Sequence, residues 1–423
     1  MVGTVGRDAR GTRLPTPPRA AAEDPGAAAA WVAAHLGDLT LEGPDGVRAS
    51  TAFRGGQPAA DAALAGLDVT GYAARRNEVW PPERRGASRM SPYVRHGLLD
   101  LRSLWDRVAD APARDRQRYR DELLWQEYAR HLHARTGRAL ARPLRHEPAT
   151  GTGWSGEAWP ERMACMATTT GELHRDGWLV NQTRMWLASQ WTVRAGRDWR
   201  DGEDEFFRHL LDGSRAANRL GWQWTVGTGT GRPYGFSRWQ VEKRAPQLCA
   251  SCPLRRACPV EQWPDAPTPP RTVEPPGLAR GDEGAALHGP AAVEHRGPPR
   301  AVWLTFESLG ESDPALDAHP DLPVVVVFDA PLLARLRLSG KRLVFLTETV
   351  AHLATGHDVT VHRGRPGEVL RGAAVAVTHA PVPGFARRAA AVEPAETHPW
   401  PWLVRPGSGT VRSFTSWRKR ARV

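Results

Sequence analysis

Four cysteines are the residues of this chain best suited to holding a metal ion or cluster. They are Cys165, Cys249, Cys252 and Cys258. A disulfide framework is uncommon in a long chain without secretory features, so metal ligation is the better use for them. Zinc sites usually pair their cysteines, whereas iron–sulfur sites use four thiolates and often carry a proline directly after the last one, as here at Pro259. The residues favour iron–sulfur, with zinc and unliganded thiols as alternatives.

A second group of polar residues is spaced to share one side of a helix. Asn181, Arg184 and Met185 stand at positions i, i+3 and i+4, which lie on one helical face. An Asp-Gly turn at 212–213, followed by Asn218, can direct further polar side chains at that face. Either these residues line a binding pocket, or they belong to a Trp-rich helical core in which the Asp and Arg form a structural ion pair.

Three longer stretches carry a more specific pattern. They are Glu122–Leu132, Gly177–Met185 and Leu210–Trp224. Together they resemble the flavin-binding core of the photolyase/cryptochrome family, and three motifs in the same order carry more weight than a single match. The resemblance implies an all-helical domain that binds FAD.

The resemblance also implies which residues hold this cofactor. The family residue that matches Tyr72 touches the flavin cofactor, and Ser88 and Ser91 fall where a helix start could bind its diphosphate. Ser91 could equally be an ordinary helix cap, with Pro92 at the first helical position. The implied cofactor-binding residues are Tyr72, Ala87, Ser88, Arg89, Met90, Ser91, Arg184, Asp212, Gly213, Ser214 and Asn218.

The activity implied by the family is light-driven electron transfer from flavin that splits cyclobutane pyrimidine dimers in DNA. Glu122 would hydrogen-bond the flipped-out dimer, and Trp125 and Trp224 would stack on it. The implied catalytic residues are Glu122, Trp125, Asn181, Met185 and Trp224. The implied electron-relay residues are Trp222, Trp199 and either Trp154 or Trp159.

Three positions depart from the family's pattern. Gln126 and Gln182 stand where the family has arginine, and Ser214 replaces the second Asp of an Asp-Gly-Asp turn. Arg76 matches a family arginine that touches a DNA phosphate. We therefore expect DNA contacts at positions 76, 126 and 182 that are weaker than in the family. A photoreceptor that lacks repair and a non-photoactive iron–sulfur DNA-binding protein are the alternative functions.

The four cysteines resemble, in their layout, those of the bacterial iron–sulfur photolyases. In that group a lone cysteine before the flavin helix joins a C-terminal triplet around a four-iron cluster. The resemblance thus implies a 4Fe–4S cluster held by Cys165, Cys249, Cys252 and Cys258.

Composition gives weaker information about partners. The formal net charge of +11 and the sequence pI of about 10.3 favour a polyanion such as UV-damaged DNA. Only three of the 57 basic residues are lysine, however, which points to base-composition bias. No run reaches transmembrane length and the first residues lack an apolar signal region, so we expect a cytoplasmic monomer without a membrane partner.

The last third of the chain alternates strand and helix patterns. Val302–Leu304 and Pro323–Asp329 are typical of buried parallel strands, and Lys341–Leu353 of an amphipathic helix. This block resembles the family's antenna-type α/β domain, which comes first in the family, so the chain looks circularly permuted. The resemblance does not indicate which antenna chromophore, if any, this domain binds, because residues 305–309 replace the family's arginine-rich stretch. The predicted organisation is a disordered or extra segment (1–48), a helical FAD-binding domain with the cysteines (49–263), a Pro/Gly-rich linker (264–299) and a Rossmann-like α/β domain (300–423).

Overall fold

The computed structural model describes residues 11–264, 268–281 and 287–423. The strands are β1 (Thr12–Leu14), β2 (Glu294–His295), β3 (Ala301–Leu304), β4 (Val324–Asp329), β5 (Val359–Gly364), β6 (Val375–Thr378) and β7 (Glu396–His398). The α-helices are α1 (Ala20–Glu23), α2 (Pro25–Leu36), α3 (Gln57–Ala65), α4 (Tyr72–Arg75), α5 (Ser91–Arg95), α6 (Leu101–Arg107), α7 (Ala113–Thr136), α8 (Ala164–Asp176), α9 (Asn181–Ala188), α10 (Trp199–His209), α11 (Arg215–Thr225), α12 (Arg238–Arg244), α13 (Pro246–Ser251), α14 (Pro314–Ala318), α15 (Ala330–Leu336), α16 (Gly340–Leu353), α17 (Pro366–Val369), α18 (Phe385–Val392) and α19 (Phe414–Arg418).

The chain forms two compact units, of which one is an α/β unit. It contains the residues up to Ala62, Tyr93–Asp100 and Gly289–Pro401. Its sheet has the strand order β1-β5-β4-β3-β6-β7-β2, in which the five central strands are parallel and the two edge strands antiparallel. The parallel strands follow the doubly wound order, with the first strand in the middle and a switch point between β3 and β6. The predicted Rossmann-like domain is therefore confirmed.

Burial on both faces explains why the central strands are so apolar. In β4, Val324, Val326 and Phe328 are fully buried, as expected for a parallel strand covered on both sides. Helix α16 is buried along almost all of its length and packs against α1 and α2. Trp31 of α2 lies with its ring centroid 6.0 Å from that of Phe328.

The N-terminal residues belong to this α/β unit, which differs from the boundaries predicted from the sequence. Residues 1–10 of the predicted disordered or extra segment lie outside the described residues, but β1, α1 and α2 are formed within 12–36. Strand β1 pairs with β5, for example Leu14 with Val361. Such a pairing joins residues far apart in the chain, so the local Pro/Ala-rich composition could not reveal it. Within the predicted 264–299 linker, β2 likewise joins the sheet at β7.

The other unit is helical and contains Ala63–Pro92, Leu101–His288 and Trp402–Val423. Its core is rich in tryptophan and includes Trp186, Trp199 and Trp222. Gly177 ends α8 in the left-handed conformation at φ 67°, which glycine adopts without steric cost. Its backbone oxygen accepts a hydrogen bond from Leu211 N at 2.8 Å, which holds the turn before α9 against the segment before α11. The predicted helical domain is confirmed.

No helix within the described residues is both long enough and apolar enough to cross a membrane.

Candidate functional site

The turn after α10 holds the Asp–Arg ion pair that the interpretation as a Trp-rich helical core predicted. Arg184 of α9 donates through Nη1 and Nη2 to Asp212 Oδ1 and Oδ2 at 3.2 and 2.7 Å. Arg184 Nε also donates to the Leu179 backbone oxygen at 3.0 Å. The Asp212 side chain is only 6% exposed, so this charge-assisted pair fixes the relative position of α9 and the turn.

Asn218 distinguishes a binding pocket from a closed core. Ser214 begins α11 by accepting a hydrogen bond from Ala217 N at 3.3 Å, and Asn218 lies one turn further along the helix. Asn218 is buried, and its Nδ2 has no hydrogen-bond partner within the described ranges. An unpaired buried amide costs free energy, so a polar ligand next to it is expected. This fits the predicted binding of a flavin at Asn218.

The residues of α9 divide into two faces as the spacing predicted. Gln182, Thr183 and Trp186 are buried, whereas Asn181 is exposed at the first helical position. Arg184 and Met185 are half-buried on the same side as Asn181. The three residues therefore share one face of α9, as predicted. Asn181 is the most exposed of them.

Residues 87–91 form a strained turn before α5. Arg89 adopts φ 62°, which is uncommon outside glycine, and its guanidinium lies 5.7 Å from the Trp178 ring centroid. Backbone strain of this kind concentrates at ligand-binding sites. Helix α5 begins at Ser91 itself, not after it, and Ser91 Oγ accepts a hydrogen bond from Trp178 Nε1 at 3.0 Å. Ala87 and Ser88 are half-buried and Met90 is buried.

Tyr72 lies at the start of α4, next to α7. It is 8% exposed, and its ring is edge-on to that of Tyr119, with centroids 5.1 Å apart. Burial raises the pKa of Tyr72 well above its usual range, so the phenol stays neutral at physiological pH. The alternative of a surface aromatic does not fit this burial.

Glu122 and Trp125 lie one turn apart on α7, but each already has a partner. Glu122 Oε1 lies 3.2 Å from Arg76 Nε. The Trp125 ring is stacked on Phe414 of α19, with centroids 4.0 Å apart and planes 13° apart. The face on which a base would stack therefore carries an aromatic ring from the C-terminal segment. No local feature of the sequence connects residues 125 and 414.

The second predicted stacking residue, Trp224, is open to solvent. It is 39% exposed, and its ring lies 5.6 Å from that of Tyr234. Gln182 is 6% exposed and donates to the Tyr234 hydroxyl at 2.8 Å. Its side chain is therefore held inside the helical unit and does not form a DNA-facing surface, whereas Gln126 on α7 is half-buried.

The tryptophans predicted to relay electrons are buried, and a further one is close to them. Trp222 packs edge-on against Phe206 at 5.1 Å, and Trp159 lies 6.2 Å from the same Phe206 and 4.7 Å from Trp191. Gly202 of α10 allows this packing, because a Cβ there would collide with Trp222 and lie 3.0 Å from Trp191 Cδ1.

The two remaining tryptophans of the predicted relay differ in surroundings. Trp199 is 1% exposed. Trp154 is half-buried against the helical core, and its Nε1 donates to Glu157 O at 3.0 Å. Trp191 was not predicted from the sequence. Its closeness to Trp222 depends on Gly202, which is eleven residues further along the chain.

The four cysteines come together around one small cavity. Cys165 is on α8 and buried, and the triplet follows from α13 onward. Burial, with the neighbouring thiols adding to it, raises the pKa of Cys165 to about 12. Among the residues that the structure describes, no three of the Sγ atoms lie within 4.8 Å of one another. Arg238 and Arg255 also line the cavity, and Arg238 is paired with Glu242 and Glu261.

The switch point of the α/β unit is filled by its own chain. His96 Nδ1 lies 2.6 Å from Phe306 O, and Leu309 N donates to His96 O at 2.9 Å. Arg95 pairs with Glu307 at 3.1 Å, with both side chains largely buried. A doubly wound fold usually binds its ligand at this position, and here residues 93–100 take up that space.

Part of the helical unit is similar in sequence to known proteins. Residues 119–245 match the family described as the FAD binding domain of DNA photolyase. A deoxyribodipyrimidine photo-lyase of Synechococcus sp. is 29% identical over 205 residues, which are 41% of this chain and 40% of that protein. One of Thermus thermophilus is 32% identical over 190 residues, which are 41% of this chain and 44% of that protein. A solved class III photolyase from Agrobacterium tumefaciens has a TM-score of 0.40 at 21% identity, covering 51% of this chain and 52% of that one. The chain spans less than half the length of these curated relatives.

Proposed function

We propose that this chain, whose residues 119–245 belong to the family of the FAD-binding domain of DNA photolyase, binds FAD and splits cyclobutane pyrimidine dimers in DNA under blue light. The observation that carries the proposal is the arrangement around Asn218. The matched segment contains a buried amide on α11 without a partner among the described residues, and the bidentate Arg184–Asp212 pair, which joins α9 to the turn before α11. FAD, when bound and reduced, supplies the electron donor that light excites.

The protein's own residues would bind and orient the cofactor and the lesion. Asp212, held by Arg184, and Asn218 would hydrogen-bond the flavin, and the 87–91 turn would hold its diphosphate. Trp125 and Trp224 would stack on the flipped-out dimer. A protonated Glu122 carboxyl group would donate a hydrogen bond to a carbonyl of the dimer, for which it must leave Arg76.

A basic cavity of the helical unit supports DNA as the partner. Its open volume is about 1070 Å³, and it is lined by Arg145, His146, Arg271 and Arg412. Glu274 is the one acidic residue among its lining residues and is paired with Arg412. Arginine side chains at such a surface contact phosphates and position DNA without reading its sequence.

For the relay, we propose Trp222, Trp159 and Trp191, together with the predicted Trp199. Trp159 is preferred over Trp154 because it contacts both Phe206, which packs on Trp222, and Trp191. Trp191 is half-buried, so it provides the outer end from which an external reductant can be reached.

For the cysteines, we propose a 4Fe–4S cluster. Four thiols around one cavity, with a proline after the last, are the ligand set that such clusters use. One tetrahedral zinc ion, with Zn–S bonds of about 2.3 Å, needs sulfur atoms roughly 3.8 Å apart. No three Sγ atoms of the described residues lie within 4.8 Å of one another, so a zinc ion would require the thiols to move closer together.

A second candidate function is a photoreceptor that binds flavin but does not repair DNA. The stacking of Phe414 on Trp125 favours it, because that ring covers a surface which the lesion must use. Gln126 in place of an arginine favours it too.

Variants of α7 separate binding from repair. We expect Trp125→Ala to weaken binding of dimer-containing DNA by about ten- to a hundredfold. Glu122→Gln should lower dimers split per absorbed photon but leave binding nearly intact, and Asp121→Asn, its neighbour on the same helix, is the matched control. If Glu122→Gln repairs as well as the wild type, the proposed lesion site is wrong.

A further inference from the structure

Three histidines surround one carboxylate at the edge of the α/β sheet. His295 Nδ1 lies 3.1 Å from Glu396 Oε1, and His319 Nε2 and His398 Nε2 lie 2.7 and 3.2 Å from Oε2. The ligand atoms of His319, Glu396 and His398 all lie within 4.8 Å of one another. We name these four residues the Glu396 site.

The fold assembles this site from three separate segments. Glu396 and His398 are two residues apart on β7, so their side chains share one face of the sheet. His295 on β2 is the antiparallel partner of Glu396. His319 directly follows α14, whose start is fixed by Asp313, which accepts hydrogen bonds from Ala315 N and Leu316 N.

We propose that the Glu396 site binds one Zn²⁺ or similar divalent transition-metal ion. Neutral imidazole nitrogens and a carboxylate are preferred zinc ligands, with bonds of about 2.0–2.2 Å, so tetrahedral ligand atoms stand roughly 3.3 Å apart. The nitrogen–oxygen distances in the site are 2.7–3.2 Å. The ligand atoms of His319, Glu396 and His398 lie within 4.8 Å of one another, so these three ligands can close around one ion by small side-chain movements.

Burial favours a metal over a network of hydrogen bonds alone. The Glu396 side chain is 9% exposed and that of His398 is 5% exposed. Imidazole rings can each donate a proton to the carboxylate, but a divalent ion would satisfy the charge and bind His319, Glu396 and His398 at once. His295, which contacts the other carboxylate oxygen and is 65% exposed, would orient Glu396. His319 is a quarter exposed, which leaves a path for the ion to enter.

A second histidine–carboxylate group is less suited to a metal. His174, Glu205 and His209 also have ligand atoms within 4.8 Å, but His174 is exposed. Arg208 already pairs with Glu205 at 3.2 Å, and its positive charge opposes a cation there.

A metal in the Glu396 site would join β2, β7 and the end of α14. The edge strand β2 and its neighbour β7 are only two and three residues long and gain little from their own hydrogen bonds, so a metal between them would stabilise this edge of the sheet. The site does not depend on the flavin or the cysteines.

Zinc titration of the full-length, iron-loaded protein tests this proposal, since the cysteines are then occupied. We expect one Zn²⁺ per chain in the wild type, and affinity at least about a hundredfold weaker in Glu396→Gln and His319→Ala. His357→Ala, a histidine of the same unit outside the site, should bind as the wild type does. Zn²⁺ should raise the thermal midpoint of the wild type and of His357→Ala, but not that of Glu396→Gln or His319→Ala. Co²⁺ should give ligand-field bands without a thiolate charge-transfer band.

Three results would overturn the proposal. They are a wild type that binds no Zn²⁺ beyond the cysteines, equal binding by His319→Ala, and loss of the ion in His174→Ala instead. His319→Ala keeps the test valid if Glu396→Gln does not fold, because His319 is the more exposed residue.

Discussion

Removing the Phe414 ring should expose Trp125 and tighten binding of damaged DNA. The two rings are stacked at 4.0 Å and 13°, and an aromatic pair of this kind contributes about 0.5–1.5 kcal/mol beyond its buried area. A base stacked on Trp125 gains about 1–3 kcal/mol, but in the wild type it must first displace Phe414. Phe414→Ala removes that competition, so the dissociation constant should fall by roughly 2- to 13-fold.

The measurement is fluorescence anisotropy with a dimer-containing oligonucleotide and its undamaged counterpart at one fixed salt concentration. Thr415→Ala is the matched control, because Thr415 is the exposed neighbour of Phe414 on α19. The gain should appear for damaged DNA only, since phosphate contacts are unchanged. If folded Phe414→Ala binds damaged DNA no more tightly than the wild type, Phe414 does not compete with the lesion and this reasoning fails.

Three further changes test other parts of the site. Asp212→Asn should lower FAD affinity about tenfold, since the charge-assisted pair is lost; flavin absorbance after gel filtration checks this, with exposed Asp201→Asn as control. Cys252→Ser should remove about four irons per chain in elemental analysis of anaerobically purified protein, whereas Ser251→Ala should retain them; zinc in place of iron in the wild type would contradict the cluster. Gln126→Arg should tighten binding to all DNA and steepen the salt dependence by about 0.9 in log–log slope; an unchanged slope would show that position 126 faces away from DNA.

Helices and strands could be predicted where the signal lies in residues that are close together in the sequence. The helix predicted at 341–353 is α16, Gly340–Leu353, and the strand predicted at 323–329 is β4, Val324–Asp329. The signal in both is a run of apolar residues. The prediction that 341–353 is amphipathic is wrong, because α16 is buried along almost all of its length. The predicted helical spacing of Asn181, Arg184 and Met185 likewise corresponds to α9.

Long-range contacts could not be predicted in the same way. The pairing of β1 with β5, the contact of Phe414 with Trp125 and the assembly of the Glu396 site all join residues hundreds or tens of positions apart. Each depends on the tertiary fold and leaves no periodic signal. The burial of Gln182 was missed for the same reason, since its partner Tyr234 is 52 residues away.

Dimer repair by the wild-type protein tests the central claim most directly. Anaerobically purified protein with stoichiometric, fully reduced FAD is mixed with dimer-containing DNA, and intact pyrimidines are counted after blue light and after an equal time in the dark. The account predicts several turnovers per protein in the light and none in the dark. If dimers persist in the light while Trp222→Phe alters photoreduction of the flavin, the protein is not a repair enzyme, and the photoreceptor function takes its place.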